Sequence, residues 1–310
     1  MSQIEIQILK QGTETKKVIS GSFFTMKDAY RIKEKYVTHL KKFCSLSNKP
    51  GFCCRIYTDE SGRKEALEIA ELHSHVSVYH FNCPEFREEL GHNGTFGTLV
   101  RFLPLFEKGL DIVWVSDIDI PLWWLDEIPK KDFNYKTNVC FNTKLYGHNY
   151  NISASFMLSR ITFPKQLLTK FINNLANGKL DDTVKRLHEL YPRKPNSRVP
   201  YTIDEVFTNT AIYNYLVRHD VEVSVEYDYL SGIDGFLVHS GKLTDREIDD
   251  LRVFYIKHDK SIFDNIKILL KKHLPWAATE RPCIKETLDL LSTFKTSFVK
   301  TYVLKGSELK

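Results

Sequence analysis

The stretch Asp111-Ile112-Val113-Trp114-Val115-Ser116-Asp117-Ile118-Asp119-Ile120-Pro121 is an apolar run that emerges into Asp-x-Asp. Side chains of an extended chain alternate with period two, so Asp117 and Asp119 share one side of the segment. Pro121, which has no N–H, ends the ladder there. Neighbouring carboxylates repel each other and are costly to hold unless a cation sits between them or one of them takes a proton. A hard divalent ion satisfies them with oxygen ligands and keeps positions open for phosphate oxygens. The plain alternative is a solvated strand end whose acids cap the next helix. Arg101 lies upstream in Gly97-Thr98-Leu99-Val100-Arg101-Phe102-Leu103-Pro104, and the aromatics Trp123 and Trp124 follow downstream.

An acidic pair at a strand end needs a sheet behind it. Lys17 to Phe24 reads as a buried strand running into a small-residue turn, and Lys27 to Phe43 carries helical spacing at Ala29, Ile32, Tyr36 and Leu40. Cys53 to Thr58 is a second strand closed by Asp59-Glu60-Ser61-Gly62. Glu65 to His73 is a short helix, Val76 to Phe81 a third strand, and Thr98 to Phe106 a helix leading to the strand Ile112 to Val115. The alternation predicts an α/β fold with a mixed, mainly parallel sheet and helices on both faces, because parallel strands need crossover connections. Such sheets bind ligands at the carboxyl ends of their strands. The later half reads as strands at Asn138 to Asn142, Ser153 to Ser159 and Val221 to Tyr227. Helices are expected at Phe163 to Ala176, Val184 to Leu190 and Thr202 to Val217, with an exposed loop at Tyr191 to Pro200. Thr202 with Glu205 three residues on has the capping-box pattern. An amphipathic basic helix is expected at Asp264 to Leu274.

The chain has 310 residues, 42% of them apolar, which is ample for a large core without disulfides or structural metals. Its 44 basic and 39 acidic residues are well mixed, and a net charge of +5 gives no face built to follow a nucleic-acid backbone. The six cysteines, Cys44, Cys53, Cys54, Cys83, Cys140 and Cys283, have no CxxC spacing and read as reduced core thiols, with zinc ligation as the alternative. Repeats, low-complexity tracts and apolar runs of the ~20 residues that cross a bilayer are all missing. Met1 to Gln11 lacks a basic region followed by an apolar one, so a signal peptide is not expected and the compartment expected is the cytoplasm. The Lys/Phe/Tyr/Asn-rich usage suits a cytosolic or virus-encoded enzyme.

In the order of these elements from Val18 to about Val238, and in the arginine-bearing helix, apolar strand and Asp-x-Asp of Leu99 to Pro121, the chain resembles the nucleotide-sugar-dependent glycosyltransferases of the GT-A fold, a Rossmann-like arrangement. The resemblance implies a catalytic domain over residues 1–245 and leaves residues 246–310 as a C-terminal helical extension packed on it. It implies Mn²⁺ or Mg²⁺ as cofactor, a nucleotide-diphosphate sugar as donor and a hydroxyl of a glycan or other acceptor. Asp119 would be the direct metal ligand, and Asp117 would touch the ribose or reach the ion through water. His239, between small neighbours in Gly235-Phe236-Leu237-Val238-His239-Ser240-Gly241, is similar to the late histidine that completes the metal shell in several such families. A hydrogen-bonded loop histidine is its alternative, and His258 its competitor.

The same resemblance points to Ser20, Gly21 and Phe23 near the nucleotide, with Gly21 permitting close backbone approach and Phe23 stacking on the base. Core packing is the alternative for Phe23 and the expectation for Phe24. Asp59 can accept a hydrogen bond from a uracil N3–H, which favours UDP, or can simply shape a turn. Arg101 can clamp phosphate or ribose oxygens. Ser153, Ala154 and Ser155 resemble the small-residue strand that lines the sugar. Asp204 and Glu205 resemble the acids beneath the acceptor, where a carboxylate takes the acceptor's proton or steadies an oxocarbenium-like sugar. Helix capping is their alternative, and Asp204 is slightly favoured over Glu205. A phosphohydrolase using Asp-x-Asp and an inactive sugar-nucleotide or glycan-binding module are the competing functions.

Overall fold

Continuous apolar runs with β-branched and aromatic residues, such as KVISGSF and IVWVS, form strands buried on both faces. The computed structural model describes residues 4–24, 33–119, 137–143, 152–190, 197–228 and 299–309. Its strands are β1 (Glu5–Lys10), β2 (Lys17–Phe23), β3 (Phe52–Thr58), β4 (Val76–Asn82), the short hairpin β5 (Arg87–Glu88) and β6 (Gly91–His92), then β7 (Ile112–Ser116), β8 (Val139–Thr143), β9 (Ile152–Ser159), β10 (Val223–Asp228) and β11 (Val299–Leu304). The helices are α1 (Lys33–Leu46), α2 (Arg63–Ala70), α3 (Gly97–Val100), α4 (Gln166–Ala176), α5 (Asp181–Leu190), α6 (Ile203–Phe207) and α7 (Tyr213–Arg218). A π-helical segment, Thr208–Ile212, joins α6 to α7. No described helix is long and apolar enough to cross a membrane.

Nine of these strands make one mixed sheet in the order β1-β4-β3-β2-β7-β9-β8-β10-β11. Strands β4, β3, β2 and β7 are parallel neighbours, and β8 and β10 are parallel to each other. β1, β9 and β11 run the other way. The expected mixed α/β sheet is therefore present, and its carboxyl edge gathers the ends of β2, β3 and β7 together with the beginning of the reversed β9. Between Phe141↔Met157 and Thr143↔Ile152 the β8–β9 register shifts, five steps along β9 matching two along β8. This is a bulge at the carboxyl edge of the sheet.

Alternating residues of β7 feed two apolar layers. Trp114 joins Leu40, Phe43 and Ile69 of α1 and α2 on one face, while Val113 and Val115 join Leu99, Phe171, Phe207 and Leu216 on the other. Trp114 is fully buried with Phe156 edge-on at 4.5 Å, so truncating it to Ala would cost about 3–5 kcal/mol.

The structure departs from the sequence reading in three local ways. The expected helix over Thr98 to Phe106 is one α turn followed by a 3₁₀ turn at Leu103–Phe106, because Pro104 cannot donate into a continuing helix. Thr202 does not cap α6 with its side chain: its φ is 68°, and its buried Oγ1 has no hydrogen-bond partner among the described residues. The expected C-terminal helical extension falls mostly outside the described residues. Its described end is a strand, β11, which pairs with β10, and a 3₁₀ turn whose Leu309 enters the core and accepts a hydrogen bond from Tyr213 Oη. The sequence Val299-Lys300-Thr301-Tyr302-Val303-Leu304 is rich in residues that suit a pleated strand.

Candidate functional site

Arg101 stands at the break between α3 and the 3₁₀ turn, with its backbone carbonyl fastened by Ser20 Oγ at 2.6 Å. Its guanidinium is 2% exposed and reaches three elements at once. One terminal nitrogen meets Asp117 Oδ1 at 2.7 Å, just beyond β7. The other meets Asp204 Oδ2 at 2.7 Å in the first turn of α6, and donates to Ala154 O of β9 at 2.9 Å. Burial works against the guanidinium charge, but Asp117, Asp204, Glu205 and Asp119, in falling order, hold it protonated and raise its pKa above the ordinary value. Four carboxylates therefore act on one cation at the carboxyl edge of the sheet.

Around Ile118, which is buried, Asp117 and Asp119 are both partly exposed, but β7 ends at Ser116, so Ile118 and Asp119 lie in a turn and not on the extended segment that the period-two reading expected. The Asp117 amide donates to Ser155 O at 3.3 Å, so the acidic rim and the small-residue start of β9 lie side by side. Ser153, Ala154 and Ser155 are buried, and the two serine hydroxyls bond each other at 2.6 Å. Asp204 Oδ1 also accepts the Glu205 amide at 3.1 Å. Asp204 is thus held on both oxygens, and the half-exposed Glu205 is the acid of the pair that faces outward. Of the two acids between which Asp204 was slightly favoured as proton acceptor, the geometry therefore leaves Glu205 the more accessible. Both terminal nitrogens of Arg101, expected to clamp phosphate or ribose oxygens, bind protein oxygens in this arrangement, and its buried Nε has no hydrogen-bond partner among the described residues.

No protein-family model matches the chain, and no curated protein sequence matches it. Among solved structures it is similar to the glycosyltransferase GlyE of Streptococcus pneumoniae TIGR4, with 14% identity and a TM-score of 0.32 over 64% of this chain and 43% of that one. It is also similar to S. aureus TarS residues 1–349, with 14% identity and a TM-score of 0.36 over 82% of this chain and 76% of that one. The chain thus spans less than half the length of GlyE.

The expected nucleotide contacts on β2 and β3 turn out to be structural. Phe23 is 0% exposed inside the apolar layer under α1 and α2, so it has no face to offer a base. Phe24, expected in the core, is only half-buried. A Cβ on Gly21 would meet Ile118 Cγ2 at 3.0 Å and the Phe43 ring at 3.2 Å. The glycine there makes room for core side chains and not for a ligand. Ser20 is buried and serves Arg101. All three lie within β2, which continues through Phe23. Residues 25–32, which follow, are outside the described set.

Asp59 is 1% exposed, and both its oxygens have partners. Oδ1 accepts from Ser61 N at 3.0 Å and Ser61 Oγ at 2.5 Å, while Oδ2 accepts from His92 Nδ1 at 3.0 Å. The Cys83 amide donates to His92 Nε2 at 2.9 Å, which places the imidazole proton on Nδ1. Gly91 has φ +102°, and a Cβ there would sit 2.7 Å from Asp59 Oδ2, so a glycine is needed for the hairpin to approach the acid. Asp59 therefore latches the β5–β6 hairpin and is not available to a uracil.

Among the described residues no group of three His, Cys, Asp or Glu side chains is arranged to hold a metal ion. His239 and His258 lie outside the described residues. The five described cysteines are buried thiols outside any disulfide, and burial pushes the Cys44 and Cys83 thiols up to about 12, as expected for inert core thiols. Asn209 and Thr208, in the π segment, are site residues that sequence reasoning missed. Both reach the backbone of Ile152 at the start of β9.

Proposed function

We propose that the protein transfers a sugar from a nucleotide-diphosphate donor, UDP-sugar foremost, to a hydroxyl of a glycan or other acceptor. The observation that supports this most is the gathering of carboxylates around buried Arg101: Asp117 and Asp204 in contact, with Asp119 and Glu205 within electrostatic reach. The hard oxygen donors at the rim suit Mn²⁺ or Mg²⁺. Asp119 would hold such an ion, with Asp117 and His239 contributing to its shell. The bound ion would neutralise negative charge on the departing diphosphate.

The chain's own residues then divide the work. Arg101 fixes Asp117 and Asp204, and Asp119, partly exposed two residues beyond Asp117, is the acid assigned to the cation. Glu205, in the first turn of α6, receives the acceptor hydroxyl's proton or faces the sugar as charge develops on it. Ser153 and Ser155 offer a short-side-chain wall beside Asp117. Resemblance of Leu99–Pro121 to the GT-A glycosyltransferases supports the same assignment.

Thermal unfolding with Mn²⁺ and UDP together tests it. We expect a rise of several degrees that neither component gives alone and that Asp119→Ala abolishes. UDP release from a panel of nucleotide sugars then names the donor. Absence of any shift, or turnover of p-nitrophenyl phosphate in its place, overturns the assignment.

A further inference from the structure

Beyond the bulge β9 begins at Ile152, which pairs with Thr143 of β8 and lies past the last β7–β9 pair, Ser116↔Phe156, and its buried backbone groups need partners of their own. Side chains supply them. Asn209 Oδ1 accepts the Ile152 amide at 2.7 Å, and Asn209 Nδ2 donates to Ile152 O at 3.0 Å. Thr208 Oγ1 reaches the same carbonyl at 3.3 Å, and two residues along the strand Arg101 takes Ala154 O. A primary amide carries a donor and an acceptor side by side, and so complements both polar groups of one backbone residue.

The same Asn209 Nδ2 also donates to Glu205 O at 2.8 Å, and Thr208 Oγ1 does so at 3.1 Å. One side chain therefore ties the turn that carries Asp204 and Glu205 to the strand that borders Asp117. Both residues sit where the helix widens into its π segment, a device that is frequent at functional sites.

We propose that Asn209 is a positioning residue that sets the placement of Glu205 against the start of β9, and through Ala154 and Ser155 against Arg101 and Asp117. What Glu205 does there rests on the glycosyl-transfer reading; the clamp itself does not.

The test uses the whole chain and two readouts. Amide hydrogen exchange over 152–155 and 203–207 should rise at least about tenfold in Asn209→Ala, since the clamp controls local opening of both segments. With a nucleotide-sugar donor, kcat should fall at least about tenfold while UDP affinity stays within about threefold, because the rim that meets the nucleotide is not touched. Thr208→Val, which removes the longer bonds and keeps the shape, should show the same pattern more weakly. Thr137→Val removes the buried Thr137 Oγ1–Ser224 Oγ bond of 2.6 Å elsewhere in the sheet, and should lower Tm without changing either readout. Wild-type exchange at 152–155 in Asn209→Ala overturns the clamp, and raised exchange with unchanged kcat overturns the positioning role. If the wild-type protein turns over no nucleotide sugar while the exchange result holds, the glycosyl-transfer reading falls and the clamp stands.

Discussion

Two buried arginines, one toward each end of the parallel strands, bridge carboxylates in different ways. Arg55 of β3 meets Glu107 at 2.7 Å and Glu14 at 3.1 Å, on segments that precede β7 and β2. Arg101 meets Asp117 and Asp204 at the opposite edge. Each guanidinium also lies near an aromatic ring, Tyr79 at 5.5 Å and Phe102 at 5.3 Å. Around Arg55 the acids are well supplied with donors. Glu14 accepts from Ser77, Tyr79 and Gln11 as well, and it and Glu107 are partly open to water. Around Arg101 two further acids, Asp119 and Glu205, add their negative charge to that of Asp117 and Asp204. The first network is a brace; the second, on the function proposed above, is where a cation and a diphosphate would sit.

The sharpest way to break this contrast is to neutralise acids at each end. Asp119→Asn should lower turnover by a factor on the order of 10³ and remove the joint Mn²⁺–UDP stabilisation, as expected when a group serving transition-state charge is lost. Glu107→Gln should leave turnover within about twofold, since nothing at the brace meets a reacting group. Equal losses at both ends would erase the distinction.

Removing the cations is the next test, by urea unfolding. Arg101→Met leaves Asp204 buried beside Asp117 without a counter-charge and should cost about 3–5 kcal/mol. Arg55→Met should cost less, about 1–2 kcal/mol, because Glu14 and Glu107 can turn to water. Mn²⁺ should restore part of the Arg101→Met loss and none of the Arg55→Met loss.

The smallest effect is one of pH. Burial pushes the Glu14 carboxyl up, but Arg55, Ser77 and Tyr79 outweigh it and hold the group below its ordinary value of 4.5. A carboxyl depressed in the folded state contributes stability above its unfolded pKa and loses it as pH falls through the folded one. The stability gap between wild type and Glu14→Gln should therefore be full at neutral pH and close as acid is added below about pH 4.5. A gap that widens in acid contradicts the brace.

The parallel block was legible because its strands are unbroken apolar runs between turn residues, as in Cys53 to Thr58 and Ile112 to Val115. β1 was harder, since an edge strand with Ile6 and Ile8 exposed carries alternation but little burial to confirm it. The acids and Arg101 were readable as residue types. Their mutual pairing was not, because Arg101 and Asp204 are 103 positions apart and meet only through the fold. Phe23 and Asp59 misled for a common reason: a strand end looks the same in sequence whether its last side chains face a ligand or close a core. Asn209 gave no sign at all, since its partners are backbone atoms of a distant strand and a π turn leaves no spacing signature.

The bulge in β9 has a consequence for the two apolar layers as well. Ile152 and Ala154 lie in the same layer as Met157, while Phe156 and Leu158 lie in the other. A regular strand cannot do this, because residues of even and odd number would stay on opposite sides throughout. The extra residues exchange the two sides partway along, so that bulky rings pack deep in the sheet and short hydroxyl side chains occupy the rim. Deleting a single residue from 153–155 would do more than shorten the strand. It would place Ile152 four positions from Met157, an even step that a regular strand keeps on one side, so the exchange of sides would no longer be needed while every acid in the sequence stayed unchanged.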